Sequence, residues 1–224
     1  MTPTLAGRSA ALFPVVGALI GAVLGGLGLV LDRMLPAGPV AALVIAAGAL
    51  VTGGLHLDGV MDTADGVFGG KSPEQRLAIL HDSRVGPFGV VAGVMILLGQ
   101  FACLSELAGQ ARLLALIAAG TIGRWSMLMA LALFPAARPT GAGATFHAGV
   151  TRGMALLGTL LTGALALLAG PLGLLPMAAG LAIAVGVGRA LTLRLGGLTG
   201  DTYGAIAIVI ETAVLFIAVA LDAR

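Results

Sequence analysis

Charge is scarce in this chain. Only 10% of its 224 residues are Asp, Glu, Lys or Arg, whereas 58% are hydrophobic and the mean hydropathy is +1.09. Soluble domains carry about 25% charged residues, and so few polar groups cannot cover a 22.0 kDa globule without exposing large apolar patches. A soluble enzyme and a disordered chain are excluded. The basic excess is small as well: 12 Lys and Arg against 10 Asp and Glu leave a formal charge of +2, with a pI near 9.3. No basic stripe is available for a phosphate backbone, so a nucleic-acid binder is excluded too. Cysteine is almost missing. Cys103 alone cannot form an internal disulfide, which excludes a stapled secreted scaffold and leaves it as a small buried apolar residue.

Long apolar runs are what the chain has in quantity. Residues 9–31, 39–55, 86–107, 113–134, 154–175, 177–193 and 202–221 each approach the roughly 20 residues that cross about 30 Å of hydrocarbon. They predict an all-α fold: one integral membrane domain over residues 1–224, a polytopic transmembrane helix bundle of about seven (six to seven) spanning helices. The first run is too long and too weakly flanked for a cleaved signal peptide. Pro171 and Pro176 lie close together between the fifth and sixth runs, the pair that would merge in a six-helix count. Glycine is abundant at 36 residues, and Gly17, Gly21 and Gly25 have the small-xxx-small spacing that lets helices approach closely in lipid. Such helices permit a homo-oligomer without fixing its number. Repeated Gly-Arg and Gly-Gly-Leu elements are unevenly separated, so an inverted repeat is not supported.

Short cytoplasmic loops are enriched in Lys and Arg. With the N-terminus inside and seven spans, one side collects Arg8, Lys71, Arg76, Arg84, Arg138, Arg152 and Arg194; the other receives Arg33, Arg112 and Arg224. This bias predicts that segments 56–85, 135–152 and 194–201 share the cytoplasmic face of the cell inner membrane. Those segments also hold most of the polar residues.

The densest polar stretch, Gly53 to Gly66, emerges from the second run and carries Asp58, Asp62 and Asp65 at i, i+4 and i+7. On a helix these span only about 60° of circumference. Three carboxylates on one stripe without an intervening cation suit Mg²⁺, which takes oxygen ligands and bridges one or two carboxylates to phosphates; a solvated surface helix is the other reading. His56 is expected to be structural. Ser72, Pro73 and Glu74 read as the cap and first turn of a short helix. Asp82 and Arg84 follow, near the next membrane entry, either as a surface ion pair or as a metal ligand and a phosphate-binding guanidinium.

Arg124 sits near the middle of the fourth run, where an arginine costs about 2.5–3.5 kcal/mol unless it meets a polar cavity or an anion. Arg189 makes the same case more weakly, because it can snorkel. Arg138 joins a glycine-containing loop whose N–H groups can approach an anion, and His147 is expected to be a loop residue. Asp201 begins the last helix and can cap it. Glu211, farther into that helix, needs a partner: Arg124, Arg189 or a metal. Several acids with several arginines at one end of a bundle form the inventory for phosphoryl transfer. No nucleophile-elbow or zinc-spaced His pattern is present.

These residues resemble the adenosylcobinamide-GDP ribazoletransferase, or cobalamin synthase, family. The similarity runs through Phe13 to Gly17, Leu55 to Gly66, Asp82 to Gly86, Gly123 to Trp125, Ala137 to Pro139, and Thr199 to Asp201 with Glu211. It implies a multi-pass membrane transferase using Mg²⁺ that joins α-ribazole, or its 5′-phosphate, to adenosylcobinamide-GDP and releases GMP. Together, residues and resemblance predict Asp58, Asp62, Asp65 and Asp82 at the metal; Asp82, Arg84 and Arg124 in catalysis, with Asp82 as general base; and Arg138, Arg189, Asp201 and Glu211 at the substrate. Two departures stand out: the family usually has a further segment before the Phe13 stretch, and often Lys or Arg where His81 stands. A CDP-alcohol phosphotransferase lacks support because its Asp-Gly-x-x-Ala-Arg element is absent, and a prenyltransferase because Asp-Asp-x-x-Asp is absent. A non-enzymatic ion or corrinoid transporter accounts for intramembrane Arg and Glu, but not for the one-sided polar loops.

Overall fold

The computed structural model describes residues 2–168 and 173–223. Its elements are α1 (Pro3–Ala10), α2 (Phe13–Leu31), α3 (Ala37–Thr52), α4 (Leu55–Gly69), α5 (Pro73–Ile79), α6 (Pro87–Glu106), α7 (Gly109–Leu133), α8 (Ala142–Gly149), α9 (Arg152–Leu168), α10 (Leu174–Leu195) and α11 (Gly200–Asp222). Helices α2, α6, α7, α10 and α11 are each long and apolar enough to cross a membrane. The shorter α3 meets α4 at 87° and α8 meets α9 at 96°, and each bent pair passes the same test when taken together. The molecule is therefore an all-α, multi-pass membrane protein with five to seven candidate spans. Pro171, one of the two prolines that mark the junction of the fifth and sixth predicted runs, and Arg224 lie outside the described residues.

The first predicted run is shorter than expected. The chain breaks after α1, and Pro14 sits in the first turn of α2, where a missing N–H costs nothing. Helix α1 instead packs on α8, where a Cβ on Gly7 would lie 1.8 Å from the Gly149 carbonyl oxygen.

Helix α7 is the central post, packed against α2, α9, α10 and α11. The glycine stripe of α2 faces it: added Cβ atoms on Gly17 and Gly21 would lie 2.0 and 2.3 Å from the Gly120 and Leu116 carbonyl oxygens, and one on Gly25 2.5 Å from Leu113. The spacing is thus used for backbone contact, which substitutes for the weak association of apolar surfaces in lipid. At the N-terminal end of α7, the buried Arg112 pairs with Asp32 at 2.5 Å and donates to the Leu104 carbonyl, while Gly109 N–H donates to Asp32. This knot ties α2, α6 and α7 together.

Candidate active site

The three polar segments meet at the other end of α7. The Ala137 N–H donates to the Leu198 carbonyl and the Leu198 N–H to the Pro135 carbonyl, each at 2.8 Å. Arg138 donates to the Leu77 carbonyl of α5 at 2.5 Å and lies 3.3 Å from the His81 ring. Arg76, at 3.1 Å from the Arg194 carbonyl, joins α5 to the end of α10, and Arg194 lies over the Phe68 ring of α4. Helix α5 begins as the sequence predicts: Ser72 accepts from the Gln75 N–H, Pro73 starts the helix and Glu74 lies in its first turn.

The acid stripe forms on α4 because the chain turns there. Gly53 and Gly54 both adopt left-handed backbone, φ 61° and 70°, which ends α3 and sends α4 off nearly at right angles. Along α4, Asp58 is exposed, Asp62 half-buried and Asp65 buried. Gly59 brings α4 against the start of α11, since an added Cβ would lie 2.6 Å from the Asp201 carbonyl oxygen. Asp62 consequently feels the charges of Asp58, Asp201 and Asp65. Asp201 does not cap α11. Thr199 does, in a reciprocal pair with Thr202, and Asp201 sits in the first turn, where the helix dipole favours an acid.

The four aspartates predicted at a metal do not form one cluster. Both oxygens of Asp65 are engaged, Oδ2 by the Gly86 N–H at 2.7 Å and Oδ1 by the Gly89 N–H at 2.8 Å. Asp82 is held by Arg84 on an exposed loop, with the closest contact at 2.7 Å. The Arg84 side-chain hydrogen bonds, and then its backbone N–H, lower the Asp82 carboxyl to about 2. A base held so low accepts protons poorly near neutrality, so this environment opposes the role of general base. Of the two readings of that loop, the structure shows the surface ion pair.

Among the described residues no three His, Cys, Asp or Glu side chains are gathered closely enough to hold a metal by themselves. Their ion pairs are Arg84–Asp82, Arg112–Asp32 and Arg124–Glu211, which leaves Asp58 and Asp62 without a cationic partner. That pair, one helical turn apart, fits an ion that takes one or two carboxylates and completes its shell with water and phosphate. Asp65, with an N–H bond on each oxygen, and Asp82, paired with Arg84, offer such an ion fewer free lone pairs.

Glu211 finds Arg124, the first of its three candidate partners. Gly123 permits the approach, because an added Cβ would lie 2.7 Å from the Glu211 Cγ. The pair borders a cavity of about 90 Å³, which His56 and Gln100 also line. Arg189 stays apart, exposed on α10. His147 is not in a loop; it lies in α8, its Nδ1 2.9 Å from the Leu131 carbonyl oxygen. Sequence reasoning missed the Thr199 cap and the bond from Asp65 to α6. The signal for the second was Gly86 itself, a helix start without a capping side chain.

A sequence model of the family described as cobalamin-5-phosphate synthase, CobS, matches residues 1–219. The chain belongs to the cobalamin-5-phosphate synthase family. An adenosylcobinamide-GDP ribazoletransferase of Desulforamulus reducens is 39% identical over 219 residues, 94% of this chain and 85% of the relative. The enzyme of that name from Roseiflexus is 37% identical over 204 residues, covering 91% and 76%. That from Trichormus variabilis is 40% identical over 212 residues, covering 89% and 82%. No solved structure matches the chain. Within the cobalamin-5-phosphate synthase family match lie α4, the Asp82–Arg84 loop and the Arg124–Glu211 pair.

Proposed function

We propose that this member of the family transfers the adenosylcobinamide phosphoryl group from adenosylcobinamide-GDP to α-ribazole or its 5′-phosphate. The new bond joins a ribose ring hydroxyl oxygen of ribazole, one that is free in both acceptors, to the phosphorus next to cobinamide; the bond from that phosphorus to the departing GMP oxygen breaks, and the proton of the attacking hydroxyl is released. The observation that carries this reading is the carboxylate pair Asp58 and Asp62, without an ion-pair partner among the described residues and beside Asp201, in a chain that matches the family from residue 1 to 219.

Asp58 and Asp62 would hold Mg²⁺. Bound there, the ion supplies positive charge for the diphosphate, whose own charge three nearby carboxylates would otherwise repel. Arg84 is the cation best placed to exchange partners: its side chain is 87% exposed, and exposed ion pairs are weak, so a phosphate oxygen can replace Asp82. Arg138 reaches the same end of the bundle while bracing α5. Arg124 and Glu211 act from inside by holding α7 to α11, the helix that presents Asp201. Arg189, exposed on α10, is left for the outer parts of the large substrate. The bias of Lys and Arg supports a cytoplasmic position for this end.

The test is incubation of purified protein with adenosylcobinamide-GDP, α-ribazole and Mg²⁺, followed by assay of GMP and the joined corrinoid. Release of both in equal amounts is expected. Folded protein that forms neither product sinks the reading.

A further inference from the structure

Helix α6 has an N-terminus that its own sequence cannot cap. In a capping box, the residue before the helix accepts the N–H three positions on, and the side chain there returns the bond. Here those positions are Gly86 and Gly89, and neither has a side chain. Their N–H groups both go to Asp65 of α4, one to each carboxylate oxygen. The carboxylate is buried, 7% exposed, and a buried charge requires such donors. The fit leaves no slack: an added Cβ on Gly86 would lie 2.4 Å from the Asp65 Oδ1, and one on Gly89 2.3 Å from its Oδ2.

We propose that Asp65 is a positioning residue that supplies in trans both halves of the missing capping box of α6, rather than a metal ligand. It thereby fixes the Asp82–Arg84 loop, which enters α6 through Gly86, against the helix that carries Asp58 and Asp62. The proposal rests on the activity stated above for its kinetic consequence, but not for its structural one.

The test restores the cap in cis. Gly86 has extended backbone, φ −94° and ψ 174°, the conformation in which serine caps a helix. Removing the carboxylate also clears the space that a serine side chain needs. Three variants are compared in detergent: Asp65→Ala, Gly86→Ser and the double variant. The readouts are hydrogen exchange of peptides spanning Gly86 and Gly89, kcat for GMP release, and the Mg²⁺ concentration at half-maximal rate.

Asp65→Ala should speed exchange at Gly86 and Gly89 about tenfold, leave α2 and α7 peptides unchanged, and lower kcat about tenfold. The double variant should regain protection at Gly89 and most of the kcat, with half-saturating Mg²⁺ unchanged within about twofold, although Gly86→Ser alone is harmful. Unchanged exchange in Asp65→Ala overturns the cap. Restored protection without restored kcat, or a rise in half-saturating Mg²⁺ as large as in Asp62→Asn, overturns the positioning role in favour of a ligand. A wild-type protein that releases no GMP sinks the activity reading alone, and exchange still decides the cap. If Asp65→Ala does not fold, recovery of folding in the double variant supports the cap, and failure of both overturns it.

Discussion

Arg124 of α7 and Glu211 of α11 face each other inside the bundle, with side chains 8% and 18% exposed. Each would be costly there alone, and together they hold the central post to the helix that presents Asp201. Glu211→Gln should therefore destabilise the protein by about 3–5 kcal/mol, because it leaves a buried guanidinium uncompensated, while Arg124→Leu/Glu211→Leu should lose much less. Denaturation in detergent, followed by helicity, measures both. Equal losses would show that the pair is not what matters at this crossing.

The α2–α7 contact gives a sharper contrast. Gly17 lies against the Gly120 backbone, whereas Gly26 on the same helix has open space around an added Cβ. Gly17→Leu should cost at least about 1–3 kcal/mol through overpacking and reduce recovery of monodisperse protein, and Gly26→Leu should be tolerated. Similar recovery of the two would refute the packing role of the stripe.

At the acid helix, Asp62→Asn should lower turnover about 100-fold, as expected for loss of a group that organises charge in the transition state. A chelator should abolish GMP release, and added Mg²⁺ should restore it. Near-normal turnover of a folded, membrane-inserted Asp62→Asn protein at saturating Mg²⁺ would remove Asp62 from the metal site.

Arg84 holds Asp82 near 2, against an ordinary 3.8. A depressed carboxyl contributes stability above its unfolded value, and that contribution is lost as pH falls through the folded one. Asp82 thus remains charged from about pH 5 to 9, and any limb in the rate profile there belongs to another group. Asp82→Asn should keep the shape of the profile of GMP release against pH. Disappearance of a limb would restore Asp82 as the base.

Much of this was legible in the sequence because it depends on local pattern. The apolar runs gave the spans, since each had to satisfy its own backbone in lipid; the basic bias gathered the loops that the structure joins through Ala137, Leu198 and Arg76. The stripe of Asp58, Asp62 and Asp65 follows from helical period alone. Ser72 and Pro73 marked α5, whereas the break before Phe13 was hidden within a continuous apolar run.

What pattern could not supply was the choice of partners. Asp65 and Asp62 share a stripe, yet one is bonded to α6 and the other has no cationic partner among the described residues; Glu211 had three candidate partners and took Arg124. Composition and period fix which faces are apolar and which residues are charged. Only the crossing of α4 over α11 and the seating of α6 on α4 decide which charges are buried together, because a hydrogen bond or ion pair depends on distances of a few ångströms between residues far apart in the chain.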